Sequence, residues 1–79
     1  MTTLQIVQDI LQEQLGLELL ALTPDAVLSD IGVDSLDLVS IIMAVESEFD
    51  IDISDKETAS ITTIDSLVSL IHNLLPANK

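Results

Sequence analysis

The chain has 79 residues, no cysteine, a single aromatic residue, and 14 acids against two lysines for a formal charge of -12. That excludes a disulfide framework and any Cys-based metal site, gives no reason to invoke an oxidising compartment, and makes nucleic-acid phosphates and anionic lipid heads poor partners. Apolar residues make up 48% of the chain, too many for disorder despite the charge and enough for one small domain over residues 1–79, near the lower size limit for an unstapled core.

From Leu4 the apolar residues fall at Leu4, Val7, Ile10, Leu11 and Leu15, with Gln8, Asp9, Gln12 and Glu13 between them. That is the spacing of a helix with one buried stripe. Thr2 or Thr3 suits its start and Gly16 its end. Met1 to Leu15 carries no basic leader, which argues against a secretory signal, and no apolar run is long enough to span a bilayer. A cytoplasmic location is the expectation.

Leu17 to Val33 is long for a connection in so small a domain. Thr23-Pro24-Asp25 reads as a turn and Gly32 as a second break. Leu19, Leu20, Leu22, Val27, Leu28 and Ile31 predict an ordered loop lying against the core, with a helical turn near Asp25 to Leu28.

A second helix is predicted from about Ser35 to Phe49. Leu38, Ile41, Ile42, Val45 and Phe49 form its buried face, and Leu36, Val39 and Met43 trace a neighbouring stripe that stays partly exposed. Ile51 and Ile53 then alternate with Asp50, Asp52 and Ser54, and a short helical turn is expected at Lys56 to Ser60. The last helix begins after Thr62 or Thr63, with Asp65 near the positive end of its dipole. Ile64, Leu67, Val68, Ile71, Leu74 and Leu75 form its core stripe and Pro76 stops it. Three longer helices and one short one, without strand-like punctuation, predict an all-α, small four-helix bundle.

Catalytic equipment is sparse. An enzymatic serine needs a neighbouring base and an oxyanion hole. The lone His72 sits in the last helix beside Asn73, and no Gly-x-Ser-x-Gly elbow exists. His72 reads as a solvated helix-end residue, no catalytic residue is assigned, and the protein is expected not to be an enzyme. Asp50-x-Asp52-x-Ser54 opens like a calcium loop, but Asp55 and Ile61 stand where that loop needs Gly and Glu. No metal site is assigned.

Ser35 makes better sense as a substrate. By position alone, a serine at a helix start is a cap. Asp-Ser-Leu also recurs at Asp65-Ser66-Leu67, so the tripeptide itself carries little information. The first copy alone has a glycine turn ahead of it, Asp30-Ile31-Gly32-Val33, and the long amphipathic run behind. The second copy is expected about one turn inside its helix.

That arrangement, followed by Glu46-Ser47-Glu48-Phe49-Asp50-Ile51-Asp52-Ile53 and then Ile61-Thr62-Thr63-Ile64, resembles the acyl carrier proteins in order and spacing. The resemblance spans almost the whole chain and is strongest from Asp30 to Ile71. It implies a 4′-phosphopantetheine arm, donated by coenzyme A and joined covalently to Ser35 by a phosphopantetheinyl transferase. Leu36, Val39 and Met43 then occupy positions of apolar partner contact, and Asp34, Asp37 and Glu46 acidic positions that meet basic docking patches. Core packing is the plainer alternative for Val39 and Met43. Ile41, Val45, Phe49, Ile53, Ile61 and Ile71 match the interior that shelters an acyl chain, where each buried methylene is worth about 0.8 kcal/mol.

The implied role is a monomeric, free-standing carrier that holds acyl intermediates as thioesters. Its partners are acyl-transferring, condensing or ligating enzymes of fatty-acid, polyketide or specialised lipid synthesis. Ser40 stands where many fatty-acid carriers have Glu, Leu38 where they often have Thr, and Ser54 where Pro is common. These departures point toward a specialised pathway. An aminoacyl or peptidyl carrier is the alternative within the family. A small acidic interaction module without a prosthetic group is the alternative outside it.

Overall fold

The computed structural model describes residues 2–75. Its helices are α1 (Thr3–Leu15), α2 (Ser35–Phe49), α3 (Asp55–Ala59) and α4 (Ile64–Leu74), and no strand occurs among the described residues. The predicted all-α bundle of three longer helices and one short one is therefore observed. None of these helices is long and apolar enough to cross a membrane.

Each helix begins at a side chain that accepts one of the otherwise unpartnered N–H groups of the first turn. Of the two threonines eligible at α1, Thr2 is the cap, closing a reciprocal box with Gln5. Thr63 rather than Thr62 caps α4. Ser54 caps α3, accepting the Glu57 N–H while Glu57 reaches back to the Ser54 N–H. Ser54 is thus what starts the short helix, which falls at Asp55–Ala59 rather than 56–60. α1 ends on Gly16 at φ 67°, in the left-handed region that glycine enters without a Cβ penalty. The Pro76 stop lies outside the described residues.

α1 packs against both α2 and α4. Val7 and Leu11, Ile41 and Val45, and Ile64, Leu67 and Ile71 are fully buried between them. Phe49 and Leu38, expected on the buried face of α2, are half-buried at its margin, as are Leu74 at the end of α4 and Leu75, which lies just past that helix.

The connection from α1 to α2 is ordered, as predicted, but differs in detail. Its helical turns are 3-10 turns at Leu19–Ala21 and Leu28–Ile31, not at 25–28. Thr23-Pro24-Asp25 makes the expected turn, with the Ala26 N–H donating to Thr23 O at 3.0 Å. Leu22 and Leu28 enter the core, whereas Leu19, Leu20 and Val27 face outward. Apolar identity alone did not order these residues, because a 3-10 turn places successive side chains on different sides.

What fixes the loop is backbone pairing with the entry to α4. Val27 and Thr63 form an isolated antiparallel bridge. The Leu28 N–H donates to Thr62 O at 2.9 Å, Ile64 N–H to Ala26 O at 3.1 Å, and Asp65 N–H to Pro24 O at 2.7 Å. Gln8 Nε2 adds a bond from α1 to Leu22 O at 2.8 Å. The loop is thereby held beside the start of α2.

Candidate functional site

The turn Leu28–Ile31 ends at Gly32, whose φ of 97° reverses the chain just before α2. A Cβ there would meet no neighbour, so the need for glycine is conformational rather than steric. Val33 continues the path, and Asp34 takes the N-cap position. Asp34 Oδ1 accepts the Asp37 N–H at 2.8 Å, and Asp37 Oδ2 accepts the Asp34 N–H at 3.4 Å.

Ser35 is therefore not the cap that its position alone would suggest. Asp34 does that work, and Ser35 is the first helical residue, exposed, with no hydrogen bond to its hydroxyl among the described residues. The second Asp-Ser-Leu is the opposite case. Ser66 lies in the first turn of α4, closer to the start than expected. Its Oγ donates to Thr63 O at 2.7 Å and accepts the N–H groups of Thr62 and Thr63 at 3.0 and 2.9 Å. Ser66 is committed to the helix start and Ser35 is free.

The front of α2 also suits a phosphodiester. The first N–H groups of a helix have no intrahelical acceptor. Asp34 takes that of Asp37, which leaves those of Ser35 and Leu36 beside the hydroxyl, at the positive end of the helix dipole.

A cleft of about 380 Å³ opens next to Ser35. Its apolar walls are Val27, Leu28, Val33, Leu38 and Ile61, and Ser29, Asp34, Ser35 and Thr62 supply the polar rim. Sequence reasoning assigned only Ile61 of these walls to an acyl pocket. Val27, Leu28 and Val33 come from the loop, whose pairing with the entry to α4 leaves no periodic signal, and Leu38 comes from α2.

The remaining expected pocket residues divide. Ile41, Val45 and Ile71 are fully buried within the packed core, and Phe49 is half-buried beside it. Ile53 lines a second, smaller cleft of about 180 Å³ between α2 and α3, together with Val39, Ile42, Met43 and Thr58.

Of the expected contact residues, Leu36 is 79% exposed, Val39 54% and Met43 63%, which sets aside the core-packing alternative for Val39 and Met43. They form an outward apolar stripe along α2, starting one residue after Ser35. Asp34 is exposed and Asp37 half-buried, both at the same end. Glu46 differs: half-buried, it accepts the Ile53 N–H at 2.8 Å and so ties the linker after α2 back onto that helix.

His72 is exposed near the end of α4, its Nε2 lying 3.0 Å from Thr3 Oγ1. At about 1.5 Å per residue, it stands roughly 12 Å along α4 from the end that borders the cleft. No group of three or more His, Cys, Asp or Glu able to hold a metal occurs among the described residues.

The sequence matches the family model for the phosphopantetheine attachment site over residues 5–71. Among solved structures, the chain is similar to an acyl carrier protein from Thermotoga maritima, at 24% identity and a TM-score of 0.79. That likeness covers 89% of this chain and 82% of the other, and it supports the fold.

Proposed function

The chain belongs to the family defined by a phosphopantetheine attachment site, and we propose that it is an acyl carrier protein whose arm is joined to Ser35. As a member it is a carrier rather than an enzyme, with covalent 4′-phosphopantetheine as its prosthetic group. When bound, the arm supplies a terminal thiol for thioester linkage, which a chain without cysteine lacks.

The single observation that supports Ser35 is its contrast with Ser66. One hydroxyl is exposed and unengaged beside open helix N–H groups, while the other makes three hydrogen bonds. Loading joins the Ser35 Oγ to the phosphorus of coenzyme A's pantetheine phosphate, releasing adenosine 3′,5′-bisphosphate and the serine proton. The chain's own part is to present that oxygen on a fixed helix end and offer the Ser35 and Leu36 N–H groups to the phosphodiester.

The outward stripe of Leu36, Val39 and Met43, with Asp34 and Asp37 at its head, serves as the docking face for the transferase and for acyl-handling enzymes with basic patches. Carboxylates steer such partners and set orientation, while the exposed apolar side chains supply contact area. Glu46 takes a smaller share in this face, because one of its oxygens is held by Ile53. The cargo is an acyl group of a lipid or polyketide pathway. Ile61 in the cleft beside Ser35 and Ile53 in the cleft between α2 and α3 offer apolar contact that favours a hydrocarbon over an aminoacyl load, whereas Ile41, Val45, Phe49 and Ile71 belong to the packed core beside them.

Incubation with coenzyme A and a broad phosphopantetheinyl transferase is expected to create one titratable thiol per chain. Ser35→Ala abolishes it and Ser66→Ala retains it. A thiol that survives Ser35→Ala overturns the assignment.

A further inference from the structure

We infer that the cleft between the loop after α1 and the entry to α4 is a seat for the first segment of the arm, with Ser29 and Thr62 as its polar contacts. The inference rests on Ser35 as the attachment point and adds a binding site to it.

The cleft begins at Ser35 itself, and its volume of about 380 Å³ lies within the range of roughly 300–1,000 Å³ typical of small-ligand sites. The part of the arm next to the phosphate carries a geminal dimethyl group, then a hydroxyl and an amide. The walls match that order of chemistry. Val27, Val33, Leu38 and Ile61 offer an apolar surface for the two methyl groups.

The rim offers hydroxyls for the polar part. Backbone groups there are largely taken: Thr62 O accepts the Leu28 N–H, Val27 O accepts the Asp30 N–H, and the Thr62 N–H is held by Ser66. The side-chain hydroxyls of Ser29 and Thr62 are exposed, and no hydrogen bond engages them among the described residues. Each has a donor and acceptor to give to an amide or hydroxyl.

The seat is also preformed. Backbone bonds from Leu28 to Thr62 and from Ile64 to Ala26 fix its two lips relative to each other. Ordering cost therefore falls on the arm and not on the protein. Asp34, the one carboxylate on the rim, disfavours the phosphate turning into the cleft and leaves it at the open N–H groups of α2.

The test compares unloaded and loaded protein by NMR, with intact mass recorded on the same samples. Loading is expected to shift the amide signals of Val27, Ser29 and Thr62, and to give NOEs from the geminal methyls to the methyls of Val27 and Ile61. The pair Ser29→Ala and Thr62→Val is expected to lower the ratio of seated to free arm roughly fivefold, the equivalent of about 1 kcal/mol for one net hydrogen bond. The loaded mass and the folded spectrum should remain. A loaded mass with changes confined to Ser35 and its chain neighbours overturns the seat alone. A mass that does not rise overturns the Ser35 reading and the seat with it.

Discussion

Glu46 Oε2 accepts the Ile53 N–H at 2.8 Å, so a carboxylate on α2 fastens the linker that follows it. The bond brings Ile53 into the core beside the smaller cleft. Glu46→Ala removes a charged acceptor from a partly buried donor and is expected to cost about 1–2 kcal/mol. Glu46→Gln, which keeps an acceptor oxygen, is expected to recover much of that. Urea denaturation measures both. Equal stability of all three proteins would make Glu46 a surface residue and return it wholly to docking.

The two serines of the repeated tripeptide predict a crossed pair of effects. Ser66→Ala breaks the reciprocal cap of α4, where Oγ meets two N–H groups and one carbonyl. It is expected to lose about 1–2 kcal/mol of stability while loading normally. Ser35→Ala touches an exposed, unengaged hydroxyl and is expected to stay within about 0.5 kcal/mol of the parent while losing all loading. Thermal denaturation and intact mass, on the same two variants, read the two columns of that comparison.

Asp50 ends α2 in the left-handed region, at φ 56° and ψ 52°, with its N–H on Glu46 O. A non-glycine residue is strained there, and its negative charge sits at the negative end of the helix dipole. Asp50→Gly relieves both and is expected to raise stability by about 1 kcal/mol, less the entropy that glycine adds to the unfolded chain. A destabilised variant would show that Asp50 makes a compensating contact.

With 14 acids on 79 residues, mutual repulsion is expected to depend on cations in solution. Added Mg²⁺ at low ionic strength should raise the melting temperature, by screening and by weak association with neighbouring carboxylates. An unchanged melting temperature would count against appreciable repulsion in the folded state.

Periodicity made the three longer helices legible, because each buries a stripe that recurs every three or four residues. Capping chemistry placed their starts to within a residue. Two things escaped it. Choosing Asp34 over Ser35 as the cap depends on backbone direction after Gly32, which both side chains could satisfy equally in the sequence. The cleft walls Val27 and Leu28 and the rim residue Thr62 depend on pairing between segments more than thirty residues apart, for which a single sequence has no marker. Leu19 and Leu20 misled for a related reason: apolar character suggests burial, but the turn geometry decides which side chains reach the core.

Carrier function depends on the chemical identity of one position. Fragment-ion mass mapping of the intact protein, after exposure to coenzyme A and a phosphopantetheinyl transferase, locates the added group directly. The predicted result is a single phosphopantetheinyl group on the fragment containing Ser35, with the Ser66 fragment unmodified. A group carried on any other residue, or a chain whose mass does not change, would contradict it.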